Sequence, residues 1–239
     1  LSLRSECPCG SSPSMSVAAW PASNANSSWS SPLNFSFCTS NEKSAIARPA
    51  ARLVKPGQMV FIDGGTTAVQ LARHLPANLQ ATVVTHSPSV AVELASHAGV
   101  EVVLIGGRLF RHSMVAVGSA AMAAISRIHA DTYFMGVTGV HAEAGLTTGD
   151  LEEAEIKRAL MASAAETVVM ASSEKIGAAS AWVVNPVASA GTLLVSPQAP
   201  AGALAPLRRA GLTVLRSDGA DDANAADIAG RASGLPGPR

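Results

Sequence analysis

The sequence predicts an α/β fold built on a mostly parallel sheet with helices on both faces. Two observations carry this. Short continuous apolar runs (Met59–Ile62, Ala81–Thr85, Glu101–Ile105, Thr132–Val137 and Thr167–Ala171) alternate with segments of helical period, the pattern of strands covered on both sides. With 239 residues, of which 48% are hydrophobic, the chain is long enough to bury a sizeable core under one large domain.

The elements follow in order. Thr39-Ser40-Asn41-Glu42 has the form of a capping box, opening a helix through Ala45, Ile46, Ala50 and Leu53. Pro49 is expected to kink this helix and Pro56-Gly57 to end it. The first three strands lead to a helix from Thr67 to Leu75, a helix from Pro88 to His97, and a Gly106-Gly107 turn. Arg108 to Val117 reads as a polar loop, followed by a helix from Ser119 to Arg127. After Val137 comes a Gly-rich connection, then a helix from Glu152 to Ala165. The last pieces are strand Leu193–Ser196, helix Ala203–Ala210 and strand Leu212–Leu215. Residues 1–40 are rich in Ser, Pro and Asn, with Trp20, Trp29, Phe35 and Phe37 at no regular period, and read as irregular or disordered. Residues 41–217 form the expected α/β domain, and 218–239 a flexible tail.

Composition excludes several function classes. Lys plus Arg equals Asp plus Glu at 17 each, so no bulk basic charge marks a nucleic-acid binder. The apolar runs fall short of the roughly 20 residues that cross a bilayer, so no membrane partner is expected. No basic segment followed by an apolar one opens the chain, which suggests a cytoplasmic protein. Cys7, Cys9 and Cys38 match no zinc spacing, and the six His lack the i, i+4 pairing of a helical metal motif, so no metal is expected.

The most informative segment is Val60-Phe61-Ile62-Asp63-Gly64-Gly65-Thr66-Thr67, an apolar strand running into a glycine turn and a helix. Glycines let the backbone approach an anion closely. The helix start offers unpaired N–H groups and a positive dipole end, and Thr66 and Thr67 add hydroxyl donors. The same residues also fit an ordinary strand-to-helix turn with Thr67 as N-cap. In an open parallel sheet the loops beyond the carboxyl ends of the strands converge. They carry Asp63 to Thr67, Thr85-His86-Ser87, Gly106-Gly107-Arg108 and Thr138-Gly139, a set suited to a small polar anion.

Candidate cations are Arg108, Lys157 and Lys175. Glu153 lies four residues before Lys157 on one helix face, and spacing alone fits a solvated pair worth a few tenths of a kcal/mol. Lys175, just past a strand, can reach the crevice as a point charge on a flexible stem. No Gly-x-Ser-x-Gly elbow, Gly-x-Gly-x-x-Gly turn or nucleotide-triphosphate loop is present, so no catalytic constellation and no cofactor are expected.

In sequence order, the chain carries Glu42-Lys43-x-x-Ile46-Ala47, Ile62-Asp63-Gly64-Gly65-Thr66-Thr67, Val84-Thr85-His86-Ser87, Ile105-Gly106-Gly107, Val117-Gly118, Asp131-x-x-Phe134-x-Gly136-x-x-Gly139, Gly145-Leu146-Thr147, Glu153-Ala154-x-x-Lys157-Arg158 and Ser173-x-Lys175-x-Gly177. Over residues 41–217 this series resembles the effector-sensing domain of DeoR-type transcriptional regulators. The resemblance implies a Rossmann-like fold shared with ribose-phosphate isomerase and CoA transferases. It also implies a phosphorylated sugar or similar metabolite as effector, homo-oligomers, and a DNA-binding helix-turn-helix ahead of the sensor.

Three departures stand out. Residues 1–40 show neither the helical patterning nor the Arg-rich recognition helix of such a DNA-binding domain. His86 stands where the family usually has Asn, and Val195-Ser196-Pro197 replaces a usual Thr-Asp strand end. Two enzyme readings on the same fold compete with the sensor. A sugar-phosphate isomerase needs a carboxylate against the sugar and a lid. A CoA transferase needs a nucleophilic Glu in a Gly-rich context, for which only Glu143 and Glu153 are near enough.

Overall fold

The computed structural model describes residues 38–218; the expectations for the first 37 residues and for the tail after 218 lie outside the described residues. The core element is a seven-stranded, all-parallel sheet. Its strands are β1 (Met59–Ile62), β2 (Ala81–Thr85), β3 (Val100–Leu104), β6 (Ala130–Gly136), β9 (Ala164–Ala171), β11 (Thr192–Val195) and β12 (Thr213–Arg216), in the order β12-β11-β9-β6-β1-β2-β3. The predicted parallel α/β class is therefore the observed one.

Side-chain alternation along each strand divides the core in two. Val60 and Ile62 of β1 face one layer and Phe61 the other, as the period-2 geometry of a strand requires. The first layer packs under α1 (Cys38–Leu53), α2 (Thr66–His74) and α3 (Pro88–Leu94), with Ile46, Leu71 and Leu94 buried. The second packs under α4 (Ser119–Ile125), α5 (Leu151–Ala162) and α6 (Ala201–Arg209), with Ile125, Leu160 and Leu204 buried. Phe61 and Tyr133 meet edge to face, with ring centroids 6.3 Å apart.

Helix α1 begins at Cys38, one residue before the expected Thr39 cap, and runs on through Pro49 to Leu53. The segment expected to be a polar loop is an antiparallel hairpin of β4 (Arg108–Phe110) and β5 (Val115–Val117). The expected Gly-rich connection contains β7 (Gly139–His141) and β8 (Gly145–Thr148), which join β10 (Trp182–Asn185) in a second, antiparallel sheet. These strands are three or four residues long, too short for hydrophobic alternation to announce them. Strand β3 forms the sheet edge, and its Val103 and Leu104 are 38% and 50% exposed. No described helix is long and apolar enough to cross a membrane.

The strand order fixes where a site can form. From β1 the chain winds outward through β2 and β3, then returns to place β6 on the other side of β1. The loops after β1 and β6 therefore leave the sheet in divergent directions, opening a crevice at this switch point.

Candidate functional site

Asp63 follows the last residue of β1 at that switch point and is 1% exposed. Its Oδ1 accepts a hydrogen bond from the Gly64 N–H at 2.8 Å, and its Oδ2 accepts from the Gly136 N–H at 2.8 Å. The carboxylate thus ties the end of β1 to the end of β6. Oδ2 also accepts from Nζ of Lys157, whose side chain is only 3% exposed. Lys157 reaches it because Asp150 caps α5, accepting from the Glu153 N–H at 3.0 Å, and the helix then places Glu153 and Lys157 on one face. Lys157 Nζ lies 3.3 Å from Glu153 Oε1, and Ser113 Oγ donates to Glu153 Oε2 at 3.2 Å. The solvated pair that spacing alone allows is instead part of a triad in which Asp63 and Lys157 are buried and the Glu153 carboxylate is half-buried at the cavity.

Burial opposes charge on Asp63, but the Lys157 ammonium and the hydrogen bonds to Lys157 and Gly64 hold its pKa below the usual carboxylate value. Burial likewise opposes charge on Lys157, and Asp63 and Glu153 overcome it and raise its pKa. His86 is fully buried, with Nε2 3.5 Å from Asp63 Oδ1 and no hydrogen-bond partner for either ring nitrogen among the described residues. Burial pulls its pKa down to about 4, Lys157 adding to the fall and Asp63 opposing it, so the ring is neutral at pH 7. The buried Tyr133 hydroxyl makes no well-formed hydrogen bond, and burial and the charge of Asp63 push its pKa up.

Above this buried layer lies a cavity of about 250 Å³ whose lining includes Gly64, Gly65, Thr66 and Thr67 from the turn into α2, Glu153 and Lys157 from α5, and Lys175. Gly65 has φ +94° and serves as the N-cap of α2 in place of Thr67; a Cβ there would meet nothing within 4 Å. Gly64 is different, since a Cβ would stand 2.1 Å from Val115 Cγ1. The hairpin therefore closes on the turn only because residue 64 has no side chain. Lys175 sits on a 3₁₀ turn, Ser173–Lys175, after β9; burial lowers its pKa, against the opposing charge of Glu174.

Seven of the sequence-predicted residues line the cavity, and Asp63, bonded to one of them, Lys157, is buried together with His86. The other five do not line it. Thr85 turns inward, accepting from the Ser87 N–H at 3.1 Å. Gly106 and Gly107 lead into β4, where Gly107 packs against Val117 and Ala121. Arg108 opens that strand, points outward and pairs with Glu152. Gly139 lies in β7 against Ala178 and Thr147. Sequence reasoning missed His112 and Ser113 at the hairpin tip, and Gly136 and Val137 at the end of β6, all of which line the cavity. Only Gly136 carried a signal, as a glycine closing an apolar strand. A neighbouring cavity of about 370 Å³ shares Gly65, Thr66, His112 and Ser113 with it.

The chain matches the family model of the DeoR C-terminal sensor domain over residues 39–196. It belongs to that family. Its curated relatives include the HTH-type transcriptional regulator GlpR of Haloferax volcanii, 38% identical over 135 residues covering 56% of this chain and 52% of that protein. The HTH-type transcriptional repressor GlcR of Bacillus subtilis is 34% identical over 141 residues, covering 59% of this chain and 54% of that protein. The matched region thus spans about half the length of these relatives. Among solved structures, ribose 5-phosphate isomerase A of Methanocaldococcus jannaschii is 19% identical, with a TM-score of 0.41 over 56% of this chain and 52% of that one. The family assignment rests on the sequence match.

Proposed function

We propose that this sensor domain binds a phosphorylated sugar or similar small phosphorylated metabolite in the cavity at the β1/β6 switch point. The observation that carries this reading is the turn at the start of α2. Its backbone at Gly65 is open to the cavity, and Lys175 lines the same space, so N–H groups, the helix dipole and a cation are available to one anion. Glu153 and the threonine hydroxyls supply polar partners for sugar hydroxyls.

The same geometry favours sensing over turnover. Asp63 and Glu153 both pair with Lys157, and Glu153 also accepts from Ser113, so neither carboxylate is poised to abstract a proton as an isomerase would require. In this reading the domain serves a homo-oligomeric regulator in the cytoplasm, where effector binding changes affinity for DNA.

A thermal-shift screen tests it. A ligand that binds only the folded state raises its melting temperature. At least one phosphorylated sugar should do so while its unphosphorylated parent does not. A panel with no response, or turnover of a sugar phosphate detected by NMR, overturns the reading.

A further inference from the structure

Helix α1 is fastened to two elements that carry cavity-lining residues, though none of its own described residues is among those that line it. Glu42 Oε1 accepts from the Ser173 backbone N–H at 2.7 Å, and from Ser196 Oγ at the end of β11. Ser173 opens the 3₁₀ turn that carries Lys175, and the Lys175 N–H donates back to the Ser172 carbonyl at 3.0 Å. One carboxylate of α1 therefore holds the turn from which Lys175 projects. Two residues further along α1, Ser44 Oγ is 2.8 Å from His74 Nε2, in the last turn of α2, whose first turn carries Thr66 and Thr67. Because α2 is a single nine-residue helix, its two ends move together.

We propose that Glu42 is a positioning residue for Lys175, and that through this contact occupancy of the cavity is relayed to α1. The proposal rests on the anion reading of the site. An anion held between the turn at Gly65–Thr67 and Lys175 fixes the separation of those two elements, and α1 is bonded to the turn that carries Lys175 and to the far end of the helix that the Gly65–Thr67 turn opens. Coupling of this kind is reciprocal: if ligand binding steadies α1, then releasing α1 from the turn weakens ligand binding. The motif Glu42-Lys43-x-x-Ile46-Ala47 supports this division of labour, since Ile46 and Ala47 are buried in the core while Glu42 faces the turn.

The test compares the parent chain with Glu42→Ala and Glu42→Gln, using inorganic phosphate as the probe against chloride at matched ionic strength. Phosphate affinity and hydrogen exchange are read together. Glu42→Gln keeps the acceptor oxygen and should bind phosphate as the parent does. Glu42→Ala should bind it about fivefold or more weakly. In parent and Glu42→Gln, phosphate should slow exchange in residues 64–72 and in 42–53. In Glu42→Ala it should slow the first segment only. The proposal is overturned if Glu42→Ala matches the parent in affinity, or if residues 42–53 ignore phosphate while 64–72 respond. If phosphate protects neither 64–72 nor 173–177 in the parent, the site reading itself fails and the coupling falls with it.

Discussion

Lys157 and Asp63 stand 94 residues apart in sequence and form a direct ion pair in which both side chains are almost fully buried. The pair joins the second helical layer to the end of the central strand. Removing one partner would leave the other charged and almost fully buried, a loss of about 3–5 kcal/mol. Lys157→Met should therefore lower stability strongly in urea titration. The double variant Asp63→Asn with Lys157→Met should recover part of that loss. A Lys157→Met protein as stable as the parent would mean that Asp63 is uncharged or solvated.

Lys175 should behave oppositely. It lines the cavity partly buried, forms no ion pair with a carboxylate among the described residues, and has its pKa lowered by desolvation against the opposing charge of Glu174. Lys175→Met removes the charge and keeps most of the stem, so folding should change little while affinity for a phosphorylated ligand falls by about 1–3 kcal/mol. Binding an anion favours the protonated lysine, so parent affinity should be full below the free protein's Lys175 pKa and fall as pH rises through the value in the complex. Calorimetry across alkaline pH checks this, and an affinity that holds constant there in the parent contradicts it.

The two glycines of the turn should fail differently. Gly64→Ala drives a Cβ into Val115, and overpacking of this kind costs about 1–3 kcal/mol. Gly65→Asp meets open space, so its folding cost is the strain of a positive φ, of order 1 kcal/mol. It also puts a carboxylate into the proposed anion site. Gly65→Asp should fold and lose its thermal response to phosphorylated sugars. A normal response from that variant would place the phosphate elsewhere.

His86 predicts an acid dependence of stability. Its pKa falls from 6.5 to about 4 on folding, so the unfolded chain takes up the proton first. The associated stability is full above pH 6.5 and is lost as pH falls toward 4, by about 3 kcal/mol for one group. Replacing His86 with Asn, which carries no titrating proton, should flatten the urea-unfolding free energy between those limits. An unchanged slope would assign the acid sensitivity to other groups.

The strand–glycine–helix turn was legible because everything it needs is local: a strand, two glycines and a helix start within thirteen residues of sequence from Val60 to Ala72. The burial of Lys157 was not. An i, i+4 Glu–Lys pair looks the same on a solvated helix face, and the partner that makes it a core feature lies on β1. Arg108 misled for a similar reason. Its position after an apolar run suggested a strand-end loop, but the run is an edge strand and the next residues pair as a hairpin that carries Arg108 outward. The hairpin tip that brings His112 and Ser113 to the cavity gave no periodic signal at all.

The switch point between β1 and β6 also has a mechanical meaning. Strands β1, β2 and β3 are drawn from residues 59–104, and β6, β9, β11 and β12 from residues 130–216. The two stretches of chain meet where β1 pairs with β6, and Asp63 is bonded across that seam to Gly136 and Lys157. A molecule seated against both the Gly65–Thr67 turn and Lys175 would add a tie across that seam. Its occupancy would bear on how firmly the two stretches of chain hold together, well beyond the few residues it touches.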